Sequence, residues 1–340
     1  MINDLGPLAQ RIRESQSQIA ENAQAIRKAE PSIKESEDKT LIVPVKSGQP
    51  DFSVCAVDGG LLADRLFGAD ILVGRSVAVS FSYSGGKLGS ALHFPSRFPE
   101  TVVDFRTGLD EYDAMVWKSL FRLKGELGAA LDALKQFKPD YLFLDGSIVL
   151  LGSDRPSEHS ALHLDYTALL KLYKSLYSGC EELGCQLVGV IKDSRGKRLV
   201  ECLQDQLIVD VPDTMLADAL LKEGERTCAI RYTSEAQKHP VLSSLGESAE
   251  KVKLFYLKPS DSDSPLRIEF LQSKKSADEI ACIVHSLCSI SKAFAYPAVL
   301  IEADMCAALE PLEMDKIKRS LFMLTGGASR PLRRAERPFR

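Results

Sequence analysis

Two short apolar runs in this chain each end in an Asp-Gly pair. The first is Ser53-Val54-Cys55-Ala56-Val57-Asp58-Gly59-Gly60 and the second Tyr141-Leu142-Phe143-Leu144-Asp145-Gly146-Ser147. Each run is too short for an amphipathic helix and reads as a buried strand. The glycines read as a turn that ends the strand and lets another group approach the backbone closely. An ionised carboxylate at a buried strand end is costly unless a cation or hydrogen bonds compensate it. Two such ends in one sheet can share Mg²⁺ or Mn²⁺, which prefer hard oxygen ligands. Paired ions of this kind can clamp the attacking and leaving oxygens of a phosphodiester. One Asp-Gly alone is only a turn signal; its repetition after buried strands points to a metal.

Other charged residues extend the pattern. Glu126 lies between Leu123, Leu127 and Ala130, beside the apolar stripe of a helix, where a carboxylate calls for a partner. Asp304 follows the apolar run Ala298-Val299-Leu300-Ile301 and reads either as a further acid at a strand end or as a helix N-cap. Lys192 follows the apolar run 186–191, and with Arg195, Lys197 and Arg198 it makes a cationic segment able to hold phosphates. His159 and His163 stand one helical turn apart without a third ligand nearby. The chain has neither GxxxxGK[ST] nor GxSxG, so neither a Walker nucleotide site nor a hydrolase elbow is signalled. A hydrolase with an Asp nucleophile commonly carries a second acid two residues on, where this chain has Gly60.

The elements that must position these residues alternate along the chain. Leu5, Leu8, Ile12, Ile19 and Ile26 form a narrow helical stripe before Pro31, read as an arm over 1–40 that docks on a partner or a second copy. Residues 41–83 read as a meander of antiparallel strands. A long helix over 109–137 precedes the second Asp strand, and a helix over 161–183 ends at Gly184. Strands are expected at 186–191, 252–257, 266–271 and 298–301, with helices at 213–222 and 276–290 and another reaching about 324. Residues 326–340 form an arginine-rich tail. The fold class is α/β: a mixed sheet flanked by helices, in a domain over 41–325.

Composition bounds the function. The net charge of −4 excludes a wholly basic coat protein but not a local basic groove. No apolar run is long enough to span a bilayer, and the N-terminus lacks the pattern of a secretory signal, so a cytoplasmic protein without a membrane partner is expected. None of the eight cysteines forms a CxxC pair, which argues against a zinc knuckle.

Taken in order, Ala-Val-Asp-Gly-Gly at 56–60, Leu-Phe-Leu-Asp-Gly-Ser at 142–147, Val-Ile-Lys-Asp-Ser at 190–194 and Tyr-Pro-Ala-Val-Leu-Ile-Glu-Ala-Asp at 296–304 resemble the NurA family over residues 50–310. The pairing of Phe255-Tyr256-Leu257-Lys258 with Leu266-Arg267-Ile268-Glu269 is also similar. The resemblance implies an RNase H-like nuclease cutting DNA with Mn²⁺ or Mg²⁺. It further implies a homodimer working with a HerA-type hexameric ATPase to process DNA ends in double-strand break repair. Asp58, Glu126 and Asp145 resemble the family's metal-binding acids, Asp304 its late metal-site residue and Tyr256 a functional tyrosine. Gly60 departs from the usual Asp-Gly-Ser. On this reading Lys192 offsets charge on the phosphate, and Lys192, Arg195, Lys197, Arg198 and Tyr256 contact DNA. A non-catalytic subunit that guides DNA for an ATPase is the alternative.

Overall fold

The computed structural model describes residues 5–330 and 332, apart from 32, 34, 47, 49, 50, 205, 206, 208 and 209; most of the basic tail lies outside the described residues. In chain order the elements are α1 (Gly6–Ala29), β1 (Ile42–Pro44), β2 (Phe52–Leu66), β3 (Ala69–Ser84), β4 (Lys87–Phe94), β5 (Val102–Arg106), α2 (Glu111–Phe137) and β6 (Tyr141–Asp145). There follow α3 (His163–Leu183), β7 (Gln186–Ile191), α4 (Arg198–Cys202), α5 (Asp213–Leu220), β8 (Glu225–Thr227), β9 (Ile230–Arg231), β10 (Val252–Lys258) and β11 (Leu266–Leu271). The chain closes with α6 (Ala277–Leu287), α7 (Ala298–Ala307) and α8 (Pro311–Leu324). The mixed α/β class read from the sequence is the class found. The chain divides into two compact units: residues 1–50, 146–148 and 186–298 form the first, and 51–145, 149–185 and 299–340 the second.

The first unit holds strands in the order β1-β8-β10-β11-β7, with β9 also on β10. β10 and β11 form the expected antiparallel pair, with Phe255 opposite Ile268. The second half of the arm belongs to this unit's core: Ile19, Ala23 and Ile26 of α1 pack with Leu216 and Leu220 of α5 and Leu254 of β10. Arg27 in the last turn of α1 holds Glu225 with two hydrogen bonds, of 2.7 and 2.6 Å. The stripe is thus half spent inside its own chain, while Leu5, Leu8 and Ile12 are exposed.

The second unit is built on a long hairpin. β2 and β3 pair without interruption from Phe52 opposite Tyr83 to Leu66 opposite Ala69, as the expected meander requires, but β1, expected in the same meander, pairs with β8 instead. β4 and β5 pair with successive stretches of β3. β6 runs parallel to β2, with Val57 beside Leu144. α2 starts at Asp110, whose side chain accepts from the Asp113 amide at 2.7 Å, and stops at Lys138 in the left-handed conformation ahead of Pro139.

Two local expectations are corrected. β2 does not end at Gly59-Gly60 but continues to Leu66, because the long β3 supplies hydrogen-bond partners beyond the glycines. Residues 298–301 are helical, the first turn of α7, rather than a strand. Four apolar residues carry no decisive period. Here Pro297 sits before the first helical residue, and Val299, Leu300, Ala303, Cys306 and Ala307 are buried at helical spacing.

Candidate functional site

Asp58 and Asp145 come together through register. The parallel pairing of β2 and β6 runs from Val54 beside Tyr141 to Val57 beside Leu144, and the next residue on each strand is an aspartate. Residues in register on parallel strands face the same side of the sheet. β6 ends there while β2 continues, so the two acids sit where the parallel pair opens. Asp58 is buried and its Oδ1 accepts from the Gly59 amide at 2.7 Å. Asp145 is half-buried and Asp304, on α7, is exposed.

The glycines after Asp58 admit two helices. A Cβ on Gly59 would lie 2.8 Å from both Cγ and Oε1 of Glu126. A Cβ on Gly60 would lie 2.0 Å from the Ala307 carbonyl oxygen at the end of α7. Successive side chains of a strand point to opposite faces; the glycines therefore accept α2 on one face and α7 on the other. Gly125 repeats the device from the helix side, since its Cβ would lie 2.5 Å from the Ser76 hydroxyl of β3.

Asp58 feels the charges of Asp145 and Asp304, and Glu126 those of Asp58 and Asp145. Burial pushes the Asp58 carboxyl up to about 6, reinforced by the charge of Asp145 and by Asp304, which also shares a hydrogen bond with it. Burial pushes Glu126 up to about 8; the guanidinium of Arg122 opposes this, while Asp58 and Asp145 add to it. Arg122 donates to Glu126 Oε1 at 2.5 Å. Its guanidinium brings one positive charge beside Glu126 and Asp58. An all-oxygen donor set rich in negative charge suits Mn²⁺ or Mg²⁺. All four acids lie in the second unit, with Asp304 in hydrogen-bond reach of Asp58 and Glu126 against Gly59.

The cationic residues belong to the first unit. Lys192 is exposed, with Nζ 3.9 Å from the centre of the Tyr296 ring. Arg195 and Lys197 are likewise exposed, and Lys197 donates to Asp210 at 2.7 Å. Two expected DNA contacts are corrected. Arg198 is buried, ion-paired with Glu35 and bonded to the Arg231 carbonyl at 3.1 Å, so its guanidinium is committed to the fold. Tyr256 is fully buried, and its hydroxyl donates to Asp213 at 2.9 Å, which leaves no face for a ligand.

Sequence reasoning missed Arg122, whose signal was its place four residues before Glu126. It also missed that Gly59 and Gly60 serve helix approach rather than a turn, which no local pattern reveals. The Nε2 of His163 lies 2.8 Å from the Ser157 carbonyl oxygen and 3.0 Å from that of Glu158.

Known proteins share this architecture. A family model described as the NurA domain matches residues 52–309. The crystal structure of the NurA nuclease from Sulfolobus solfataricus is 18% identical, with a TM-score of 0.58, covering 96% of this chain and 98% of that one. A crystal structure of NurA bound to dAMP and manganese is 12% identical, with a TM-score of 0.60, covering 95% of this chain and 98% of that one. A crystal structure of NurA with manganese is 12% identical, with a TM-score of 0.52, covering 94% of this chain and 99% of that one. No curated protein sequence matches.

Proposed function

Because this chain belongs to the NurA family, we propose that it is a divalent-metal-dependent deoxyribonuclease whose metal is held by Asp58, Glu126, Asp145 and Asp304. The observation that carries this reading is the register placing Asp58 beside Asp145 at the open end of the parallel pair, with Glu126 and Asp304 in electrostatic reach of Asp58. A solved structure of this fold holds dAMP and manganese.

Bound there, Mn²⁺ or Mg²⁺ would polarise the phosphodiester and lower the pKa of water. The protein's own groups prepare the place. Asp58 is fixed by the Gly59 amide. Arg122 holds Glu126 Oε1 and orients the second carboxylate. Exposed Asp304 completes the donor set. Lys192, Arg195 and Lys197 hold the phosphates of DNA, with Lys192 offsetting charge on the substrate. Among the described residues no helix is long and apolar enough to cross a membrane. The enzyme works as a homodimer with a HerA-type hexameric ATPase and processes DNA ends in double-strand break repair. Exposed Leu5, the N-cap of α1, and Leu8 and Ile12 within it are the surface for one of these contacts.

The test is a cleavage time course on linear DNA with Mn²⁺, Mg²⁺ or EDTA. Wild type should cut with metal and not with EDTA. Asp58→Asn and Asp145→Asn should each lower the rate by about 10²-fold or more while DNA binding persists. A non-catalytic DNA-guiding subunit would be inactive with every metal, with and without the ATPase, and that result would reject the enzyme.

A further inference from the structure

We infer that His93, Glu302 and Cys306 form a second cation site, for Zn²⁺, distinct from the carboxylate cluster. Glu302 and Cys306 stand one turn apart on the same face of α7, and His93 lies in β4. His93 Nε2 is 3.0 Å and Cys306 Sγ 3.6 Å from Glu302 Oε1. The three ligand atoms all lie within 4.8 Å of one another. Zn–N of about 2.0–2.1 Å and Zn–S of about 2.3 Å in a tetrahedron put neighbouring ligand atoms roughly 3.3–3.6 Å apart. The triad is therefore close to the spacing zinc requires without movement of α7 or β4.

The donor types select the ion. A thiolate with an imidazole and one carboxylate suits zinc, whereas Mn²⁺ and Mg²⁺ favour all-oxygen sets such as the one around Asp58. Arg97 now supplies the positive charge, its Nη2 3.2 Å from Glu302 Oε1. Its side chain is 58% exposed, so it can turn out to water when a metal ion takes its place on the carboxylate. Binding exchanges one proton: the Cys306 thiol becomes a thiolate as the Zn–S bond forms, and the proton passes to buffer. Water would supply the fourth ligand. A bound ion would pin α7 to β4, and α7 is the helix that carries Asp304.

The test uses the full-length chain, stripped of metal and titrated with Co²⁺ as a spectroscopic stand-in for Zn²⁺. Wild type should develop thiolate-to-cobalt charge transfer and tetrahedral visible bands, saturating near one equivalent and erased by Zn²⁺. Cys306→Ser should lose the charge-transfer band. Asp58→Asn should keep it, because the hard acid site contributes no sulfur. In His93→Gln, Zn²⁺ affinity measured against a chromogenic chelator should fall tenfold or more. Absence of the band in wild type, or its persistence in Cys306→Ser, would overturn the site. If circular dichroism shows Cys306→Ser unfolded, His93→Gln decides: unchanged Zn²⁺ affinity in a folded variant rejects the inference.

Discussion

Glu126 is buried with its carboxyl raised to about 8, and Asp58 is raised to about 6. Both lie above the ordinary carboxylate range, so the folded chain binds these protons more tightly than the unfolded one. The resulting stabilisation is complete below the unfolded carboxylate range and is lost as pH rises through about 6 and then about 8. In EDTA, wild type should therefore lose stability between about pH 5 and pH 8. Glu126→Gln should lose less, and be more stable than wild type at the upper end by on the order of 1–3 kcal/mol. Urea unfolding at the two pH values checks this; equal losses would show that Glu126 is not strained by its charge. Divalent metal should reverse the ranking, since the ion favours the ionised form. The acids were legible because each broke an apolar pattern: Asp58 and Asp145 ended runs, and Glu126 sat beside a stripe. Arg122 was not, because an arginine on a helix surface is ordinary until its partner is known to be buried.

At the scale of elements, the central device is the pair of glycines inside β2. Gly60→Ala would drive a methyl to 2.0 Å from the Ala307 carbonyl, a backbone atom that cannot swing aside. It should cost about 2 kcal/mol or more and weaken metal binding by displacing α7. Gly128→Ala on α2 meets nothing within 4 Å and should be neutral or stabilising by up to about 1 kcal/mol. Denaturation midpoints of the two variants check the contrast; similar values would mean that close approach at Gly60 is unimportant. The strands, α2, α3 and the β10–β11 pair were legible because their apolar periods and caps were local. The continuation of β2 through the glycines was not, since it depends on β3, whose length extends the pairing. α7 was misread because a four-residue apolar run fits strand and helix alike, and only tertiary packing chose between them. Ile26 and Ile12 occupy the same stripe of α1 yet differ: Ile26 is 2% exposed and Ile12 50%. Ile26→Ala should cost about 2–4 kcal/mol and Ile12→Ala almost nothing, readable from the same unfolding curves.

At the scale of the whole molecule, Lys192, Arg195 and Lys197 are solvent-exposed cations of the first unit. Charge removal at Lys192, Arg195 and Lys197 should weaken DNA binding across all sequences and flatten its salt dependence. Each phosphate interaction removed should lower the steepness of the log–log plot by about 1. Binding isotherms at several salt concentrations measure this, and an unchanged slope would place the DNA elsewhere. Light scattering addresses assembly: removal of the segment through Arg13 takes away Leu5, Leu8 and Ile12 but leaves the buried half of α1, so loss of dimer or ATPase binding should come without loss of fold. The central claim is that Asp58, Glu126, Asp145 and Asp304 together hold a divalent cation. Anomalous diffraction at the manganese edge, from crystals grown with Mn²⁺, tests it most directly. The account predicts an anomalous peak bonded to carboxylate oxygens of Asp58 and Asp145, weakened or lost in Asp58→Asn. A fully ordered cluster without manganese, or manganese bound only elsewhere, would contradict it.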